Sequence, residues 1–122
     1  MISKVKICGL TCKKDVEAAV KYGASYLGFI VEAESSRKLS VAEASKIAFT
    51  GSGSCQTVAV VVDPTNDLLE NIIKKMRPSY IQLHGNESIE RTSFIKNNFK
   101  TEIIKAVSIN SKKVFITSEQ YT

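Results

Sequence analysis

Runs of β-branched and aliphatic residues begin near positions 4, 25, 56, 79 and 102, and each is followed by a stretch whose apolar residues recur at helical spacing. The intervals are 21, 31, 23 and 23 residues, enough for one strand, one helix and two short connections. A helix between two strands returns the chain to the same end of the sheet, so successive strands pair in parallel. The repeated alternation therefore restricts the chain to an α/β architecture. Ser25–Val31 and Gln56–Val62 lack polar alternation, as strands covered on both faces do. With 122 residues and 43% hydrophobic content, residues 1–122 are expected to form a single domain.

Local signals place the element ends. Thr11 is expected to cap a first helix carrying Cys12, Val16, Ala19 and Val20 on one stripe, with Gly23 as its left-handed stop. Glu32–Leu39 reads as a polar loop, and Ser40 with Glu43 forms a capping box for a helix through Ala44, Ile47 and Ala48. Thr50–Ser54 is a linker too short to separate domains. Asp63-Pro64-Thr65-Asn66 opens a third helix with Leu68, Leu69, Ile72, Ile73 and Met76 on one stripe. Lys74, Lys75 and Arg77 fall in its last turn, where positive charge suits the helix dipole. Tyr80–Leu83 is a fourth strand, and Asn86 is expected to cap a fourth helix carrying Ile89, Phe94, Ile95 and Phe99. Glu102–Ile109 is a fifth strand, and the pattern weakens from Asn110.

Two parallel architectures fit this order, a doubly wound sheet and a (β/α)8 barrel. A Rossmann glycine fingerprint is absent after the first strand, and polar residues collect instead at the carboxyl ends of several strands: Cys8, Arg37, Asp63 and His84. That distribution favours a TIM-barrel type fold, whose site is assembled at that face. Here it is incomplete, with about five parallel strands and alternating helices.

The net charge of +5 comes from basic residues scattered along the chain without interleaved aromatics, which argues against a nucleic-acid face and suits a small anionic substrate. The three cysteines and one histidine contain no C-x-x-C pair, so no metal site is expected. Cys12 and Cys55 read as packing residues. No apolar run approaches membrane-spanning length, and reduced thiols point to the cytoplasm.

Cys8 carries the most pointed chemistry. Strand alternation puts Lys6 and Cys8 on one face, and an ammonium beside a thiol favours the nucleophilic, basic thiolate. The other reading of the same residue is a small buried hydrophobe.

Lys6-Ile7-Cys8-Gly9-Leu10-Thr11 resembles the opening motif of the phosphoribosylanthranilate isomerases, and other blocks agree in order. These are Gly23-Ala24 with Leu27-Gly28-Phe29, Ser35-Ser36-Arg37 with Ser36 in place of a proline, Ile81-Gln82-Leu83-His84-Gly85, and Ile104-Lys105-Ala106. The resemblance implies a (β/α)8 barrel of tryptophan biosynthesis. Its reaction is the Amadori rearrangement of N-(5-phosphoribosyl)anthranilate, a phosphosugar substrate, without metal or cofactor. It further implies that Cys8 is the general base at the ribose C2 position, that Arg37 binds the anthranilate carboxylate, and that Gln82 and His84 line the substrate pocket. Lys105 is expected either to be buried against a carboxylate or simply to pair in the barrel floor or mouth, and no chemistry is assigned to it. By residue type alone, Arg37 would be a solvated charge and His84 a structural strand-end residue.

The resembling family places its general-acid aspartate on a sixth strand and its phosphate loops after strands seven and eight, beyond the five units read here. The 122-residue chain alone is therefore expected to be inactive and, if stable by itself, to cover its open sheet edges, most simply by self-association. The rival readings are a non-enzymatic half-barrel acting as a binding or complementation module, and another phosphosugar barrel such as an epimerase. A single histidine with no aspartate pair counts against the latter.

Overall fold

A computed structural model describes residues 4–33, 36–51 and 53–106. The elements in chain order are β1 (Lys6–Ile7), α1 (Lys13–Lys21), β2 (Tyr26–Val31), β3 (Lys38–Leu39), α2 (Val41–Gly51), β4 (Gln56–Val61), α3 (Asn66–Lys75), β5 (Tyr80–Leu83), α4 (Ile89–Phe99) and β6 (Glu102–Lys105). The sheet runs β1-β2-β4-β5-β6, with β3 paired to β2 off that path, and every pairing is parallel. This is the TIM-barrel type of sheet, open across the described residues. None of their helices is long and apolar enough to cross a membrane.

The register separates two faces. Leu27 pairs with Ile7 and Thr57, Phe29 with Ala59, and Ile81 with Ala59 and Ile103. Leu27, Phe29, Val31, Val61, Ile81 and Leu83 are all fully buried on this side, beneath Val16 of α1, Ala44 and Ala48 of α2, Leu69 and Ile72 of α3, and Ile95 of α4. The opposite, concave side carries Lys6, Tyr26, Gly28, Val58, Val60, Tyr80 and Gln82. Both faces of the central strands are covered, which explains why β2 and β4 read as continuous apolar runs.

The capping box stands as expected: the Glu43 amide donates to Ser40 Oγ at 3.1 Å, and the Ser40 amide to Glu43 Oε1 at 2.9 Å. These bonds hold the exposed Glu43 carboxyl below its ordinary value, the Ser40 amide contributing most. Gly23 takes φ +87 as the stop after α1.

Several ends differ from expectation. Cys12, not Thr11, is the N-cap of α1, and its side chain makes no cap bond. Cys12 is exposed, so it is not a packing residue, whereas Cys55 is buried and its thiol donates to the Ala24 carbonyl at 2.9 Å. Burial pushes the Cys55 thiol up from its ordinary value. Ser88, not Asn86, caps α4 through the Arg91 amide. The Asn86 amide goes instead to Asp63 Oδ1 at 3.0 Å. The loop between β2 and α2 contains the two-residue strand β3, too short to announce itself, and α2 runs to Gly51, into the expected linker. Arg77 lies beyond α3 at φ +49. Ser35 and the residues from 107 onward, including the end of the expected fifth strand, lie outside the described residues.

Candidate active site

Cys8 follows directly on β1. The ladder sets Lys6 beside Tyr26 and Ile7 beside Leu27, which brings Cys8 level with Gly28. A Cβ at Gly28 would lie 3.1 Å from Cys8 Sγ and 3.2 Å from Cys8 Cα, so the missing side chain is what makes room for the thiol. The chain then turns at Gly9, φ +78, and ties back to β2 through the Leu10 amide on the Gly28 carbonyl at 3.1 Å. Cys8 is half-buried at this turn.

Arg37 arrives from the loop ahead of β3. Its guanidinium lies so close over Gly9 that a Cβ there would overlap it, with Nε only 2.9 Å away. Gly9 is thus required twice, for its left-handed backbone and for the close approach of the guanidinium. Residues far apart in sequence, Cys8 and Arg37, are brought to one spot at the carboxyl end of β1.

Gln82 and His84 stand on and just beyond β5, three strands along the sheet from β1. Gln82 is 8% exposed, and its Oε1 accepts a hydrogen bond from the Lys6 ammonium across the concave face. Lys6 does share its face with Cys8, but its ammonium is held by Gln82. Beneath that bond, Tyr26 and Tyr80 meet edge to face with ring centroids 5.9 Å apart, and a cavity of about 420 Å³ opens beside Lys4, Lys6 and Ile104. His84 is exposed, and its amide continues the ladder onto the Val61 carbonyl at 2.9 Å.

The sequence allows Lys105 a buried carboxylate partner without naming it, and that partner is Glu87. Glu87 is 4% exposed and forms an ion pair with Lys105 at 2.7 Å. Burial pushes the Glu87 carboxyl up, but the Lys105 ammonium and the Asp63 amide outweigh it and hold it below its ordinary value. The only available signal was an acid two residues after a strand-end glycine, and 18 residues separate it from its lysine. Among the described residues no group of three or more His, Cys, Asp or Glu could hold a metal ion.

A parallel sheet flanked by alternating helices, with a thiol and a guanidinium together at the end of one strand and an imidazole at the end of another, is the layout of a (β/α)8-barrel enzyme. The family model described as N-(5'phosphoribosyl)anthranilate (PRA) isomerase matches residues 5–121, and the chain belongs to that family. An N-(5'-phosphoribosyl)anthranilate isomerase of Rhizobium johnstonii is 41% identical over 107 residues, 88% of this chain and 48% of the relative. One of Agrobacterium fabrum is 38% identical over 117 residues, 96% of this chain and 53% of the relative. The chain thus spans about half the length of these relatives. The phosphoribosyl anthranilate isomerase of Thermotoga maritima superposes with a TM-score of 0.89 at 28% identity, over 98% of this chain and 58% of that one. A structure of such an isomerase in complex with reduced 1-(o-carboxyphenylamino)-1-deoxyribulose 5-phosphate gives the same score and identity, over 98% and 61%.

Proposed function

We propose that these residues carry the base and the carboxylate site of an aldose–ketose isomerase of tryptophan biosynthesis, working in the cytoplasm. The reaction is the rearrangement of N-(5'-phosphoribosyl)anthranilate to 1-(o-carboxyphenylamino)-1-deoxyribulose 5-phosphate. The observation that supports this reading is the Arg37 guanidinium packed on Gly9, the residue next to Cys8 in the chain. A planar guanidinium donates two parallel hydrogen bonds to a carboxylate, which suits the anthranilate end of the substrate. With that end held, Cys8, one residue from Gly9, is the base proposed to take a proton from the sugar. Opening the ribose ring requires an acid at the ring oxygen. Removing the C2 proton then converts the iminium to an enamine, whose enol tautomerises to the ketone. These steps draw only on proton transfer. Gln82, through its bond with Lys6, and His84, at the end of β5, are proposed to border the sugar.

The family resemblance puts the acid and the phosphate loops on later units of the barrel, so turnover is proposed to need them. The test joins this chain in frame to those later units of the Agrobacterium fabrum relative and assays isomerase turnover. Cys8→Ser is expected to lower kcat by about 10²- to 10⁴-fold, and Arg37→Ala to raise KM. Turnover unchanged by Cys8→Ser in an active chimera overturns the assignment. A polypeptide of these 122 residues by itself is proposed to pair through its β1 and β6 edges with another copy.

A further inference from the structure

The Glu87 side chain is 1% exposed and that of its partner Lys105 9%. Burying two charges costs several kcal/mol per ion before their attraction offsets it, so such a pair is weak evidence of stabilisation and invites another explanation. Its hydrogen bonds supply one. Both Glu87 carboxylate oxygens accept from the Gly85 amide, at 3.0 and 3.2 Å, and the Lys105 ammonium donates to the Gly85 carbonyl at 2.7 Å. The two peptide groups that follow His84 are therefore held one after the other, by opposite charges. Glu87 Oε2 also accepts the Asp63 amide at 2.8 Å, and the Asp63 carboxylate accepts the Asn86 amide at 3.0 Å. The Asp63 carboxylate fills the space where a side chain at Gly85 would go, 2.7 Å from that Cβ. One carboxylate thus joins the segments that leave β4 and β5 to the end of β6.

Alternation fixes which side this happens on. Lys105 pairs with Leu83, whose side chain is buried against the helices, whereas Gln82 and, two residues on, His84 belong to the concave side. Continued past β5, that alternation sets Lys105 on the helix side and position 84 on the concave side. We infer that Glu87 and Lys105 are positioning residues that set the direction in which His84 enters the mouth. The clamp rests on this geometry. Its consequence for ligand binding rests on the proposed role of His84.

His84 is the single histidine, so its ring signals in a proton–carbon spectrum of the 122-residue chain need no further assignment. The test variant is Glu87→Gln with Lys105→Met, which removes both charges together and strands neither. Exchange of the Gly85 and Asp63 amides is expected to accelerate by about tenfold or more, and the His84 ring signals to shift and lose order. Lys105→Arg, which keeps the charge, should restore most of the protection. Glu70→Gln, which breaks the exposed Glu70–Lys74 pair, should change neither reading. If the double variant does not fold, Glu87→Asp keeps the charge but shortens the reach, and the same acceleration at Gly85 is expected. Wild-type exchange at Gly85 with unchanged His84 signals, in whichever of these variants folds, overturns the clamp. Affinity for reduced 1-(o-carboxyphenylamino)-1-deoxyribulose 5-phosphate, measured on the chimera, supplies the second arm. Altered His84 signals with unaltered affinity uphold the clamp and remove His84 from the substrate site, so the two failures are told apart.

Discussion

At Gly28 a single missing methyl decides where the thiol of Cys8 sits. Adding that methyl places a carbon 3.1 Å from Sγ and 3.2 Å from Cys8 Cα, and the backbone atom cannot rotate out of the way. Gly28→Ala is expected to destabilise the fold by about 1–3 kcal/mol through overpacking. Urea unfolding of Gly28→Ala, Cys8→Ala and the double variant checks this. In the double variant part of the loss should return, because the sulfur is gone, and a cycle that closes without coupling would show that the two positions do not press on each other. Gly9 belongs to the same argument from the other side, since its left-handed backbone and the guanidinium above it both exclude a side chain. Of the two glycines that frame the thiol, Gly28 is needed for volume and Gly9 for both volume and conformation.

At the scale of elements, the segments after β4 and β5 and the end of β6 are held together by one ionised carboxylate, and this makes their stability sensitive to acid. The folded protein holds Glu87 below the ordinary carboxyl value of 4.5. A group whose folded pKa is lowered contributes its stability in full above the unfolded pKa, and that contribution fades as pH falls through the folded one. Urea unfolding at a series of pH values should therefore show a gap between the wild type and the Glu87→Gln, Lys105→Met variant. The gap should be constant near neutrality and shrink below the ordinary glutamate range. A gap that does not change with pH would mean that Glu87 has no depressed pKa. The strand–helix order and the capping box of α2 were legible because their determinants are local: hydrophobic periodicity within an element, and a serine three residues before a glutamate. The cap of α4 is ambiguous in the sequence because Asn86 and Ser88 both suit an N-cap by type; in the fold Ser88 takes the Arg91 amide, and the Asn86 amide goes to Asp63. The meeting of Cys8 with Gly28, of Arg37 with Gly9 and of Glu87 with Lys105 depends on parallel register and loop course. No local pattern encodes either of these.

For the whole molecule, the described sheet ends at β1 on one side and β6 on the other. At this edge Val5, just before β1, and Ile7 within it are 47% and 39% exposed, and they border a groove of about 500 Å³ with Ala18 and Ala19 of α1 and Tyr22 at its end. Among the described residues β1 pairs with β2 alone, and an open edge beside an apolar groove favours pairing with another chain. Sedimentation of the 122-residue polypeptide in dilute solution should therefore show dimers or larger species, and a monodisperse monomer would refute that pairing. The sheet has a further property, since apart from β3 its spatial order is also the order of the chain. Each strand after the first finds its template already laid down. During synthesis from the N-terminus, each new unit can dock as it leaves the ribosome, without waiting for a distant partner.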